Sequence, residues 1–300
     1  METTVDIIYV NYNTADQILD SVGTLDAACG KYGFRVTVVD NCSDADACLE
    51  QLKQVDGLNY VQLDRNYGFG YANNRGYEQT SAPIVLFLNP DTLCRKGSIE
   101  SMISFLLGHD GVGCVGASLF DADDKPAHSF RRLDYGVRIE LSNALCHIPA
   151  KVAYGRNAEH NFTGKELDVA YVCGAAMVCK RDILDETGIF DERFFMYFED
   201  NELCRRIRMK GLRVVSLSNA EIVHLEGKSI SLKETREKLQ EQSRRLFYEI
   251  TGKSWHRPII DAVNIVLLTV GEILCGVTGK SEKRRIYSFR KKLLLSKEIN

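Results

Sequence analysis

The sequence predicts an α/β protein: a doubly wound, mostly parallel central sheet with helices on both faces, followed by a helical C-terminal appendage. Three observations carry this. Short β-branched or apolar runs alternate with helical patterns through the first 120 residues. Each run ends in a polar cluster, as strands do where an open α/β sheet meets its ligand. Near residue 253 the composition changes, and a long apolar helical pattern gives way to a basic one.

The first run, Val5 to Val10, ends in Asn11-Tyr12-Asn13-Thr14 and leads into a helix over 15–29 with Thr14 at the N-cap. The second, Arg35 to Asp40, ends in Asp40-Asn41-Cys42-Ser43. The third, Asn59 to Leu63, meets a turn from Asp64 to Gly76 that is rich in Gly and Asn and opens a helix. The fourth is the five-residue run Ile84–Leu88, stopped by Asn89-Pro90-Asp91 because proline has no N–H to give to a ladder. A helix over 96–108 and a fifth strand over 111–116 complete the regular part.

Asp40 has two readings, a cap for the segment near Ser43 or a ligand-facing acid. Asp91 likewise closes an Asx-type turn or meets a metal or phosphate. Three such clusters on one edge, at 10–13, 40–43 and 89–91, outline a crevice shaped for a nucleotide. An acid at the second strand's end suits a ribose hydroxyl or a base N–H, and the N–H groups of turns and helix N-termini suit phosphate. Gly68-Phe69-Gly70 is not a dinucleotide fingerprint, because Asn73 stands where a third glycine is needed and the turn follows the third strand. Its glycines are expected to let the backbone fold tightly at the nucleotide edge, with Asn73 and Asn74 as hydrogen-bonding side chains.

From 120 to 168 the pattern loosens into an acceptor-side insertion carrying Arg131-Arg132 and a short helical pattern near 136–146. An apolar run resumes over 169–179 with the small residues Gly174 and Ala175 in its middle. Aromatics then crowd 188–198, and a helix opens with Glu199, Asp200 and Glu202 in its first turn. Acids there complement the helix dipole. Their position after an apolar run also predicts partial burial of at least one, which tunes a carboxylate for general-base work. A strand over 213–217 precedes the lone His224. Gly227 to Ser231 reads as a loop, and Ser231 with Glu234 as a capping box for a helix reaching about 250.

With 45% apolar and 26% charged residues, the composition is ordinary for a water-soluble globular chain. The 38 Lys and Arg balance 41 Asp and Glu, so nothing global points to nucleic acid. Ten cysteines without a C-x-x-C pair, most inside apolar runs, look like free buried thiols. The N-terminus has no basic segment followed by an apolar one, and the expectation is a cytoplasmic protein.

In order along residues 5–250, seven short elements resemble the bacterial family 2 glycosyltransferases of the GT-A fold, in their rhamnosyltransferase-like branch. They are Val10-Asn11-Tyr12-Asn13, Val39 to Ser43, Asn66 to Gly76, Leu88-Asn89-Pro90-Asp91, Cys173-Gly174-Ala175, Phe198 to Arg206, and His224 with Gly227 and Ser229. The resemblance implies a nucleotide-sugar donor, dTDP-rhamnose first and a UDP-sugar second. Val10, Asn11, Tyr12, Asn13, Asp40, Asn41, Asn66, Gly68, Phe69, Asn73 and Asn89 would line the nucleotide, and Gly174 and Ala175 the sugar. Asp91 and His224 would hold Mg2+ or Mn2+, a donor set that suits either ion. Asp200 would be the catalytic base, with Glu199 beside it. Asn89 replaces the first acid of the family's D-x-D motif, which loosens the expected hold on the ion. By this similarity residues 1–252 form the catalytic domain of an inverting transferase that builds cell-surface polysaccharide on a glycan or lipid-linked acceptor. The alternative is a GT-A-like protein that binds a nucleotide sugar or glycan without turnover.

Residues 253–300 form the appendage. Between Asp261 and Glu272 only ten residues lack charge, too short a run to span a bilayer. From 280 to 300 there are eight Lys or Arg against two Glu, with Ile286, Phe289 and Leu293 at helical spacing. A wide apolar helix face followed by a basic amphipathic helix predicts attachment of 258–300 to the inner face of the cell membrane. A hairpin packed on the catalytic domain, or on a second subunit of a homodimer, is the other reading.

Overall fold

A computed structural model describes residues 3–145, 147–225 and 233–296. Its first elements are β1 (Thr3–Asn11), α1 (Ala15–Val22), α2 (Leu25–Cys29), β2 (Gly33–Asp40), α3 (Ala47–Lys53), β3 (Leu58–Gln62), α4 (Phe69–Tyr77) and β4 (Ile84–Leu88). Then come β5 (Thr92–Cys94), α5 (Ser98–Leu107), β6 (Val112–Phe120), β7 (Phe130–Arg131), α6 (Val137–Ala144), α7 (Ile148–Tyr154), β8 (Glu166–Asp168) and β9 (Tyr171–Val172). The last are β10 (Ala176–Lys180), α8 (Arg181–Thr187), α9 (Glu199–Met209), β11 (Arg213–His224), α10 (Lys233–Ile250), α11 (Arg257–Val277) and α12 (Ser281–Leu295).

Packing divides the chain into two units. The first takes residues 1–132, 156–195 and 199–229, the second 133–155, 196–198 and 230–300. These limits differ from the composition change at 253, because α10 packs with α12 and α6 with α11 in the second unit.

In the first unit, strands run in the order β3-β2-β1-β4-β10-β6-β11-β5, with β8 on β11. From β3 to β4 every pairing is parallel. β10 then enters antiparallel between β4 and β6, and β5 and β8 are antiparallel to β11. The sheet is therefore parallel on one side and mixed on the other, a departure from the mostly parallel expectation. β10 reaches its place between β4 and β6 from the long segment after β6 that carries α6, α7, β8 and β9, and it enters in the opposite sense to both neighbours. Buried Val5, Ile7, Val38, Leu86, Val115 and Val178 pack with α1, α2 and α5 residues on one face.

Other expectations shift in detail. The helix over 15–29 is broken at Gly23 and Thr24 into α1 and α2. Thr14 stands at the N-cap, yet its hydroxyl donates to Asn11 Oδ1 (3.1 Å) instead of accepting from the helix. The run over 169–179 is two strands, β9 and β10, split by the turn at 173–175, and the strand expected over 213–217 continues to His224. β5 was not foreseen, since three residues carry no readable period. Gly227, Ser229 and Ser231, and with Ser231 the capping box, lie outside the described residues.

Within the second unit, Arg244 of α10 donates to Glu241 (2.7 Å), Glu140 (3.2 Å) and Asp261. All four side chains are buried, so each charge there has a partner, as burial requires. Glu272 of α11 pairs with Lys291 of α12 at 2.6 Å. The stretch Ser254–Val277 is long and apolar enough to cross a membrane by length and composition. Its two acids, Asp261 and Glu272, both have cationic partners inside the unit.

Candidate functional site

β1, β2, β3, β4, β6 and β11 all end at one edge of the first unit's sheet, because the pairings among them are parallel or are made parallel through β10. Register sets Asn11 beside Asp40 and Asp40 beside Gln62. Asp40 is fully buried. Its Oδ1 accepts from Asn11 Nδ2 (2.7 Å) and Ser43 Oγ (2.5 Å), and its Oδ2 from Gln62 Nε2 (2.5 Å) and the Ser43 N–H (3.2 Å). The acid is thus satisfied from within, and exposed Gln62 is a member of the cluster that the motifs did not mark. The signal for it was its place at the end of β3. Asn13 (φ 58°) donates its N–H to Ser43 Oγ at 2.9 Å, Val10 is buried and Tyr12 stands exposed beside it.

Asn41, Asn66, Gly68, Phe69 and Asn73 meet in one turn. Asn41 donates to Asn66 Oδ1 (2.8 Å) and Gly68 O (3.2 Å) and accepts from the Tyr67 N–H (2.9 Å). Asn73 donates to Phe69 O, and Asn74 exchanges hydrogen bonds with the Phe190 backbone. Gly68 has φ +94°, and a Cβ on it would lie 2.3 Å from the Phe195 carbonyl oxygen, which accepts the Phe69 N–H. Glycine here permits the approach of residues 190–195 to the turn.

Asp91 and His224 lie side by side. Thr92 and His224 are register partners of β5 and β11, and the Leu225 N–H donates to the Asp91 carbonyl. His224 Nε2 lies 3.2 Å from Asp91 Oδ1 and 3.4 Å from Asn89 Nδ2. Asp91 is buried, and Asn89 Oδ1 is buried without a hydrogen-bond partner among the described residues. A carboxylate oxygen, an imidazole nitrogen and a spare amide oxygen form a donor set that fits a divalent cation. Among the described residues no three His, Cys, Asp or Glu side chains converge on one point, so such an ion would complete its shell from water and ligand oxygens.

The acids of α9 begin one residue after Tyr197 and Phe198, both at φ +71°, a conformation costly for bulky residues. Asp200 Oδ2 accepts the Gly174 N–H (2.9 Å), and its Oδ1 accepts the Asn201 N–H (2.7 Å). Burial raises the Asp200 carboxyl above its ordinary range, against the pull of those N–H donors. Glu199 is buried, its Oε2 has no hydrogen-bond partner among the described residues, and burial followed by the neighbouring Asp200 charge pushes it well upward. Glu202 is also raised by burial, and it pairs with Arg206 at 2.7 Å. Arg206 in turn donates to the Thr187, Gly188 and Ile189 carbonyls, so this acid serves structure.

Two hydrogen bonds link Asp200 through the turn at 173–175 to Asn89, two residues before Asp91. The Asn89 N–H donates to Ala175 O at 2.9 Å, and the adjacent Gly174 donates to Asp200. Arg131, in the insertion, pairs with Glu159.

The sequence profile of Glycosyl transferase family 2 matches residues 6–188, more than half of the chain. An uncharacterized protein of Sinorhizobium fredii is 29% identical over 245 residues, which are 78% of this chain and 26% of that protein. The chain thus spans about a quarter of that relative. The N-acetylglucosaminyl-diphospho-decaprenol L-rhamnosyltransferase of Mycobacterium tuberculosis is 23% identical over 239 residues, 75% of this chain and 76% of that enzyme. A solved mannosyltransferase of Pyrobaculum calidifontis, in complex with GDP-Man and Mn2+, shares the fold with a TM-score of 0.59 at 14% identity, covering 98% of this chain and 87% of that one. Its sheet is that of the GT-A glycosyltransferases, and by the profile match the chain belongs to glycosyl transferase family 2.

Proposed function

We propose that this chain is an inverting glycosyltransferase of polysaccharide synthesis, moving L-rhamnose from dTDP-rhamnose to a glycan or lipid-linked acceptor. The observation that carries the reading is the connection of two sites: Asp91 and His224 at one end, Asp200 at the other, joined through Asn89, Ala175 and Gly174. The resemblance of the chain to an enzyme named for L-rhamnosyl transfer supports the choice of sugar.

In this reading Asp200, raised by burial, takes the proton of the acceptor hydroxyl. The acceptor oxygen bonds to the anomeric carbon as the bond from that carbon to the diphosphate oxygen breaks. The nucleoside diphosphate leaves from the opposite face, so one displacement inverts the centre. Asp91 and His224 would hold a divalent ion, Mg2+ or Mn2+, which when bound supplies positive charge against the diphosphate. Burial and the neighbouring Asp200 charge favour the neutral form of Glu199, which lessens the negative charge beside Asp200. Gln62 and the turn at 10–13 face the nucleotide.

The test is a thermal-shift screen of the purified chain against dTDP, UDP, GDP and their sugars, each with and without Mn2+. A ligand of the native state raises apparent stability by mass action. The reading predicts a rise with dTDP-rhamnose that is larger with Mn2+. A selective rise with a UDP-sugar would keep the reaction and replace the donor, and no rise with any nucleotide would contradict both.

A further inference from the structure

The second unit carries a surface that the transfer reaction does not use. In α11, Ile259, Val266, Val270, Ile273 and Val277 are 50% to 83% exposed, and Trp255 just before the helix is 70% exposed. At 3.6 residues per turn the five aliphatic side chains fall within about 60° of arc. The opposite face is packed: Ile260 and Cys275 are buried, Asp261 meets Arg244 of α10, and Glu272 meets Lys291 of α12. Tyr287 of α12 lies so close to Gly271 that a Cβ there would meet its ring at 2.7 Å. The helix is therefore fixed by its inner side and presents Ile and Val outward, the reverse of an ordinary surface helix.

We infer that this stripe is a membrane-contact face that lies in the surface of an anionic bilayer, with Trp255, Ile259, Val266, Val270, Ile273 and Val277 entering the acyl boundary. Charge identifies the occupant. Exposed Lys283, Arg284 and Lys292 belong to α12, and the Arg284 guanidinium lies 3.8 Å from where a Cβ on Gly276 would stand, at the end of the stripe. Basic side chains beside an apolar helix face match negative headgroups above acyl chains, and an exposed Trp suits the same boundary. A second copy of the helix would be steered by charges flanking the seam; the flanks here are Ala262, Val263, Leu267, Thr269 and Leu274. The bilayer is not crossed, because α11 would have to abandon the Asp261–Arg244 and Glu272–Lys291 pairs to be surrounded by lipid. The face stands independently of the proposed sugar transfer.

The experiment is flotation of the full chain with vesicles of phosphatidylcholine alone and of an equal mixture with phosphatidylglycerol. The wild type is expected to float with the mixed vesicles. Val266→Asp with Ile273→Asp should weaken that binding at least about tenfold, from the lost apolar burial. Lys283→Glu with Arg284→Glu and Lys292→Glu should lower binding to the mixed vesicles alone. Circular dichroism and the nucleotide-induced thermal shift, unchanged in both variants, would show that the fold is kept. The inference is overturned if the wild type stays unbound with both vesicles, or if the aspartate variant floats as well as wild type. A wild-type dimer that the aspartate variant dissociates, with no flotation, would assign the stripe to a second copy instead.

Discussion

The backbone N–H of Gly174 points at Oδ2 of Asp200 from 2.9 Å, while Oδ1 is held by Asn201. A carboxylate gripped at both oxygens keeps one orientation, which a base aimed at a single hydroxyl requires. The N–H donors favour the ionised form, burial opposes them, and burial prevails.

A pH dependence of transfer follows. In the proposed reaction Asp200 works deprotonated, and its proton is held more tightly than that of an ordinary Asp, whose pKa is about 3.9. Activity should therefore fall on acidification at a higher pH than an exposed Asp would give, with the slope of one proton. A pH–rate profile checks this. A rate that stays flat until the protein unfolds would remove Asp200 from the rate-limiting proton transfer.

In the proposed site, Asn89 beside the Asp91–His224 pair would set the hold on the ion. His224→Ala should raise the Mn2+ concentration for half-maximal donor binding by at least about tenfold, the scale on which altered metal sites lose affinity. Asn89→Asp adds a charged oxygen and should lower it. Calorimetric titration of dTDP at several Mn2+ concentrations reads both, and identical curves for His224→Ala and wild type would exclude ligation by His224.

Gly68 tests a structural claim. At φ +94° with the Phe195 carbonyl 2.3 Å from a would-be Cβ, alanine is strained twice over. Gly68→Ala should cost roughly 1–3 kcal/mol, which denaturant unfolding would register. A stability equal to wild type would mean that residues 190–195 do not approach the turn this closely.

Much of the site was legible because strand ends in an α/β sheet share an edge. Asp40 and Asp91 could be placed there from the runs that precede them, and His224 was joined to Asp91 only by the family resemblance. The direction of β10 was not legible, since an apolar run such as Ala176–Lys180 reads the same in either sense. Neither was the internal satisfaction of Asp40. A glutamine at a strand end is no motif, and only register brings Gln62 beside Asp40. The partners of the two acids of α11 were not legible either, because Arg244 and Lys291 lie on other helices. The glycines at 68 and 70 were read toward a nucleotide, whereas Gly68 faces the Phe195 backbone.

The central claim is that Asp200 takes the acceptor's proton while Asp91 and His224 serve the donor. Its most direct test is Asp200→Asn, assayed for sugar transfer and for dTDP-rhamnose affinity in the presence of Mn2+. Removing a general base while keeping side-chain shape should lower kcat by about 10²–10⁴-fold and leave donor affinity as in wild type. Transfer at the wild-type rate would contradict the account.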